Sequence, residues 1–392
     1  MQYRTFGKLD WQPSALGFGA MRLPTVGGDA AQIDEPEATR IVRYAIDHGV
    51  NYVDSAYFYH GGNSESFLGR ALQDGYRERI KLATKLPGWL VKEREDFNRI
   101  LQEQLERLQT GKVDFYLLHG LNGALWSTMR DLGVLDWAEQ VMADGRIGHL
   151  GFSFHDTYEA FQEIVDAYNG WALCQVQYNF MDEQRQAGVR GVQYAADKGL
   201  AVIVMEPLRG GQLAGNVGQR QGHGVPQSIQ ALWDSVPQRR SPAEWALQWL
   251  WHQPSISLVL SGMSTLAQVE ENVTSADRSA PGLLTSAELA LVGRVRDEYR
   301  ALSPIPCTDC RYCQPCPNNV AIPRIFDLYN QATMFNAANS ARGAYAIWVS
   351  EAERGDRCLA CGECESRCPQ GIAIIEWLEK ADQYLASQKP GI

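Results

Sequence analysis

No apolar run in the sequence approaches the roughly 18 residues that a membrane-crossing helix needs, so none is expected. The opening residues, MQYRTFGKLDW, lack the apolar stretch of a secretory signal, and a cytoplasmic location is the expectation. An excess of positive charge is also missing. There are 36 Lys and Arg against 46 Asp and Glu, a formal net charge of -10, which argues against a nucleic-acid surface. The 45% hydrophobic and 21% charged residues argue against disorder and against a fibre. Cysteine is almost absent from the first three quarters of the chain. Only Cys174 precedes Cys307, and its setting, WALCQVQY, reads as a strand with a buried, inert thiol.

What is present is an alternation. Short β-rich runs fall at Leu16–Gly19, Asn51–Asp54, Ile80–Lys85, Val113–His119, His149–Ser153, Leu173–Tyr178, Leu200–Glu206 and Ser257–Ser261. Several, such as AVIVM and SLVL, are near-continuous apolar runs, as expected of parallel strands covered on both faces. Amphipathic stretches lie between them. One, at 96–108, puts Phe97, Ile100, Leu101, Leu105 and Leu108 on one face. Eight such units in about 250 residues predict a (β/α)8 TIM barrel, an α/β fold. A doubly wound sheet would want a glycine fingerprint after its first strand, and GFGAMR matches it poorly. A last helix is expected to end at Leu302, and the Ser303–Pro306 stretch (SPIP) then reads as a linker. The expected domains are 1–302, the barrel, and 303–392, a smaller and mainly helical one.

The remaining eight cysteines form two runs in that tail. CTDCRYCQPCP holds Cys307, Cys310, Cys313 and Cys316; CLACGECESRCP holds Cys358, Cys361, Cys364 and Cys368. The second matches the bacterial ferredoxin spacing C-x2-C-x2-C-x3-C-P residue for residue. One short loop of this spacing wraps three corners of a cubane, and the fourth Cys reaches the other cluster. The implied sets are Cys307, Cys310, Cys313 and Cys368 for one 4Fe-4S cluster, and Cys358, Cys361, Cys364 and Cys316 for the other. Zinc is the competing metal, because four-cysteine zinc sites also use C-x2-C. The first run has two residues, not three, before its last Cys. The spacer of about forty residues looks helical, so the module resembles the α-helical ferredoxin domains of respiratory reductases.

Polar residues close three successive predicted strands: Asp54 in NYVD, Lys85 in KLATK and His119 in DFYLLH. The C-terminal ends of barrel strands are where barrel enzymes do their chemistry. Tyr59 follows Asp54 by five residues. With Asp54 and Tyr59 in DSAYFYHGGNSE, Lys85 in ATKLP and His119 in VDFYLLH, the chain resembles the aldo-keto reductases, over about Tyr3 to Asn272. With its tail it is similar to the bacterial subgroup carrying a C-terminal 4Fe-4S dicluster domain.

The resemblance implies a catalytic tetrad of Asp54, Tyr59, Lys85 and His119. Tyr59 would pass a proton to the alkoxide formed on hydride reduction of a carbonyl, with Lys85 lowering its pKa. Asp54 would hold Lys85, and His119 would orient the carbonyl oxygen. It also implies cofactor contacts at Ser153 and Gln175, at Leu208, Gly210 and Gly211 around a diphosphate, and at Ser264, Gln268, Glu271 and Asn272 near the adenosine. Departures from the family pattern are Phe154 for an Asn, Met205 for a stacking aromatic, Glu206 for a Ser, and no Lys or Arg in the stretch that clamps a 2′-phosphate. The expected cofactors are therefore two 4Fe-4S clusters with NADP or NAD, or with a flavin mononucleotide at the last two loops. The expected function is an aldo/keto reductase-type oxidoreductase acting on a small-molecule carbonyl or alcohol. Its clusters would be coupled to a ferredoxin or other redox partner, with neither nucleic acid nor membrane involved. The alternatives are a non-enzymatic redox-sensing or regulatory barrel and a flavin-linked electron-transfer enzyme.

Overall fold

A computed structural model describes residues 1–215, 224–307, 312–335 and 337–387. The chain packs as two units, one of Met1–Arg209 with Ala243–Leu289, the other of Gly210–Pro242 with Ala290–Ile392. No described helix is long and apolar enough to cross a membrane.

The first unit is a closed barrel of eight parallel strands in sequential order. They are β1 Leu16–Gly19, β2 Tyr52–Asp54, β3 Lys81–Leu86, β4 Val113–Leu121, β5 Ile147–Phe154, β6 Leu173–Gln177, β7 Ala201–Met205 and β8 Leu258–Ser261. This is the (β/α)8 architecture expected from the alternation, and each strand lies within three residues of its sequence-based range at either end. The two faces of each strand serve two cores. Tyr52, Ala83, Phe115, Leu117, Leu173, Ala201, Ile203, Leu258 and Leu260 fill the barrel interior. Residues of the other parity, such as Leu82, Tyr116, Leu118, Cys174 and Val202, pack outward beneath the surrounding helices. A hairpin at the N-terminus, with bridges Tyr3↔Ser14 and Phe6↔Leu9, closes the lower end. There Phe6 meets Trp11 and Phe115 with ring centroids 5.1 Å apart in each case.

The second unit has its own core, in which Ile305, Val320, Ile325, Phe326, Tyr345, Leu378 and Leu385 are buried. Helices Ile322–Met334, Ala338–Trp348 and Ile374–Ala386 supply most of it. Buried Asn330 closes the entry to the first cysteine run, accepting from Ile305 N at 3.0 Å and donating to Ile305 O at 2.7 Å. Gly355 sits where a Cβ would meet Asp382 Cβ at 2.8 Å. That close approach ties the chain leading into Cys358 to the last helix, with Gly355 N donating to Asp382 Oδ1 at 3.1 Å.

Candidate active site

The inward parity that builds the barrel's apolar interior turns polar one layer higher. Tyr52 is followed by Asp54, Ala83 by Lys85, Leu117 by His119 and Leu173 by Gln175, while Ile203 is followed by the apolar Met205. These residues arrive at the C-terminal mouth because strand side chains alternate faces and all strands run the same way.

Lys85 is the hub. It is 1% exposed, and its Nζ donates to Asp54 Oδ1, to Ser55 O at 2.7 Å and to Tyr59 Oη at 3.4 Å. Tyr59 opens the turn Tyr59–Gly62. The next residue, His60, has φ +55 and is pinned on both ring nitrogens. Leu23 N donates to its Nε2 at 3.1 Å, and its Nδ1 meets Ala30 O at 2.7 Å. The nearby Tyr57 faces away from Lys85, with its hydroxyl donating to Glu103 Oε2 at 3.0 Å and Arg107 4.3 Å above its ring. His119 stands edge-on to Tyr59 with ring centroids 6.2 Å apart. Phe58 stacks on it at 5.1 Å and 18°, and Trp89 lies 5.3 Å away. Phe58 and Trp89 are themselves about half exposed, so they wall the mouth.

Burial and charge set the protonation states. Burial disfavours the Lys85 ammonium, but the Asp54 carboxylate beside it raises its pKa above the usual 10.5. Burial pushes the Tyr59 phenol above 10; Lys85 pulls it down without overcoming that. The lowering by Lys85 is the effect that sequence reasoning expected; the larger opposing effect of desolvation lay outside that reasoning. Burial, then the Lys85 and His155 charges, hold His119 well below 6.5. The resting site is therefore a neutral phenol beside an ammonium–carboxylate pair and a neutral imidazole.

A second layer fixes Lys85 from behind. Gln104 Nε2 donates to Lys85 O at 3.0 Å and to Glu65 Oε1 at 2.6 Å, while Gln104 Oε1 accepts from Tyr116 Oη at 2.6 Å. Glu65 is fully buried and also accepts from Thr84 Oγ1 at 2.5 Å. Neither residue was singled out from sequence. The signal was there for Gln104, a polar residue at the helical spacing of Ile100, Leu101 and Leu105.

Of the residues expected to contact a cofactor, Ser153 and Gln175 lie on β5 and β6, Leu208, Ser264, Gln268, Glu271 and Asn272 belong to the same unit, and Gly210 and Gly211 belong to the second unit. Gln175 is 2% exposed, and among the described residues its Oε1 accepts no hydrogen bond. Ser153 Oγ accepts from Gly120 N at 2.7 Å. Phe154, where the family has an Asn, turns to the outer core against Phe161. Leu208 packs on the barrel core. Gly210 and Gly211 have φ +67 and +97, a backbone that glycine adopts without strain. Ser264 N donates to Gln268 Oε1 at 2.8 Å, and Thr265 caps the helix Leu266–Asp277. On that helix Glu271 is exposed, while Asn272 is buried and donates to Ser261 Oγ at 3.1 Å. A buried acceptor without a partner on Gln175 fits a carboxamide N–H, so these residues suit a nicotinamide.

In the second unit Cys307, Cys313, Cys316, Cys358, Cys364 and Cys368 rim the helical core, and Cys361 is exposed. Cys310 lies outside the described residues. Among the described residues no three His, Cys, Asp or Glu side chains form a group able to hold a metal ion. Cys316, Cys358, Cys361, Cys364 and Cys368 are in no disulfide, and the second run turns at Ala360 and Gly362 with φ +50 and +76. Closely spaced thiols on a tight turn suit an iron–sulfur cluster, for which thiolate is the donor.

Comparison with known proteins gives two matches along the chain. Residues 15–281 match the aldo/keto reductase family and residues 306–373 match a 4Fe-4S dicluster domain. L-galactose dehydrogenase of Arabidopsis thaliana is 29% identical over 287 residues, 70% of this chain and 87% of that protein. The holo form of an aldo-keto reductase from Bacillus halodurans is 27% identical, with a TM-score of 0.60 over 75% of this chain and 96% of that one. A Klebsiella pneumoniae aldo-keto reductase in complex with NADPH shares the fold at 23% identity, with a TM-score of 0.58 over 76% and 96% of the two chains.

Proposed function

The chain belongs to the aldo/keto reductase family of oxidoreductases and carries a 4Fe-4S dicluster domain, and from this premise we propose that it interconverts a small carbonyl compound and its alcohol with a nicotinamide cofactor. The observation that carries the reading is the buried Lys85 ammonium held between Asp54 and the Tyr59 hydroxyl. A bound nicotinamide supplies or accepts the hydride. Everything else falls to the chain. Tyr59 Oη, protonated at neutral pH, donates its proton to the carbonyl oxygen as charge develops there. Lys85 stabilises the phenolate left behind and Asp54 holds Lys85 in place. His119, neutral, orients the carbonyl oxygen, and Phe58 and Trp89 exclude water from that side. Gln175, Ser153 and Asn272, with Leu208, Gly210, Gly211, Ser264, Gln268 and Glu271, are the residues we assign to the dinucleotide.

The same reading sets the domain boundary between Leu302 and Ser303, in the interval between the two matched stretches. It assigns the eight cysteines to two 4Fe-4S clusters, which supply one-electron transfer to a redox partner such as a ferredoxin.

Anaerobically purified protein should oxidise NADH or NADPH in the presence of small aldehydes. Tyr59→Phe should slow that turnover by about 10²–10⁴-fold, the usual worth of a positioned acid. Turnover unaffected by Tyr59→Phe would remove the tetrad reading.

A further inference from the structure

Sequence reasoning found no Lys or Arg in the stretch that clamps a 2′-phosphate, named Arg220 and Arg278 as stand-ins for it, and read Arg22 and Arg209 at the barrel mouth as a hint of an anionic substrate. Arg220 lies outside the described residues. Arg278 stands at the far end of the helix Leu266–Asp277 and donates to Glu244 Oε1 at 2.9 Å. Arg209 is committed as well, its Nε 3.0 Å from Asp182 Oδ2 with both side chains nearly buried.

Arg22 is placed differently. It follows β1, and its carbonyl accepts from Ser264 Oγ at 2.7 Å, which bolts the β1 loop to the loop after β8. Its side chain then runs across Gly262. A Cβ at that glycine would lie 3.2–3.3 Å from Arg22 Cβ, Cγ and Cδ. The guanidinium ends at the loop after β7, with Nη2 3.8 Å from Glu206 Oε1. Both side chains are 36% exposed. Glu206 has φ +55, and its carbonyl accepts from Asn179 Nδ2 at 3.1 Å, so its backbone is held in an unusual conformation.

The loops after strands seven and eight of a (β/α)8 barrel are a recurrent phosphate site. Arg22 spans those two loops. Its pairing with Glu206 is long and solvated, hence weak. A guanidinium gains more from a phosphate, which it meets with two parallel donors. We propose that Arg22 binds the diphosphate of the dinucleotide, and that Glu206 holds the guanidinium over the cleft until the diphosphate displaces it. The inference rests on the nicotinamide reading above. The guanidinium lies at the Glu206 end, so a contact to the diphosphate common to NADH and NADPH is expected rather than one to a 2′-phosphate.

The test titrates the cluster-loaded protein with NADH, NADPH and ADP-ribose, following tryptophan fluorescence. Arg22→Gln should raise all three Kd values together by about ten- to a hundred-fold, the worth of one charge-assisted phosphate contact. Arg22→Lys should recover part of the loss, which separates charge from misfolding. Glu206→Gln should tighten binding in the native background and do nothing beside Arg22→Gln. Unchanged Kd values in Arg22→Gln, or a loss confined to NADPH, would overturn the diphosphate assignment while leaving the nicotinamide reading intact. Tightening by Glu206→Gln that persists without Arg22 would overturn the holding role. If the native protein binds neither NADH nor NADPH, the nicotinamide reading itself fails and this inference falls with it.

Discussion

Tyr59 and His119 are half-buried at the mouth, and the loss of water around them moves their pKa values in opposite directions, the phenol above 10 and the imidazole well below 6.5. The proposed acid, Tyr59, is therefore protonated, and the His119 imidazole neutral, across the interval between those values. Reductive kcat/KM should show no limb from either group between pH 6.5 and 10, and a steady decline through that interval would contradict the assignment. Phe58 offers a sharper test, because its ring covers His119 face to face. Phe58→Ala admits water, weakens the burial that depresses the imidazole, and lets its pKa rise toward 6.5. The variant should lose activity as the pH falls through about 6.5 while the native protein does not. Identical acid limbs would show that Phe58 does not set the environment of His119.

Among the elements, the helix Asn63–Ala71 illustrates how closely the scaffold behind Lys85 is packed. Gly69 faces the end of the helix Glu95–Arg107, where an added Cβ would meet Arg107 O at 2.5 Å and Leu108 C at 2.9 Å. Both are backbone atoms and cannot swing aside, so Gly69→Ala should cost about 1–3 kcal/mol by overpacking. Gly111→Ala, with nothing within 4 Å, is the control and should change stability little. Equal thermal unfolding midpoints for the two variants would refute the packing account. The strands were legible because a parallel strand covered on both faces is a short apolar run, as AVIVM and LVLS are. The helix at Asn63–Ala71 was not, since it is short, begins at a glycine and carries Glu65 on its buried face. Of the site, Asp54, Lys85 and His119 were readable from strand ends. The walls and supports were not: Phe58, Gln104 and Glu65 act through neighbours distant in sequence, and only folding brings these together. The depth of the Tyr59 hydroxyl, which decides its pKa, is likewise a property of packing.

For the whole molecule, the account joins a barrel built for two-electron chemistry to a tail built for single electrons. Two 4Fe-4S clusters predict about eight iron atoms per chain in protein prepared without oxygen, and Cys361→Ser should lower that toward about four. Stoichiometric zinc in place of iron would contradict the cluster reading. Whether the barrel performs hydride chemistry at the Lys85–Tyr59 site is decided by isotope transfer. With nicotinamide cofactor deuterated at C4 and a small aldehyde, the native protein should place the label on the carbinol carbon of the alcohol. Tyr59→Phe should slow that transfer by at least about a hundredfold with dinucleotide binding retained. Alcohol formed without label, or labelled equally fast by Tyr59→Phe, would contradict the assignment.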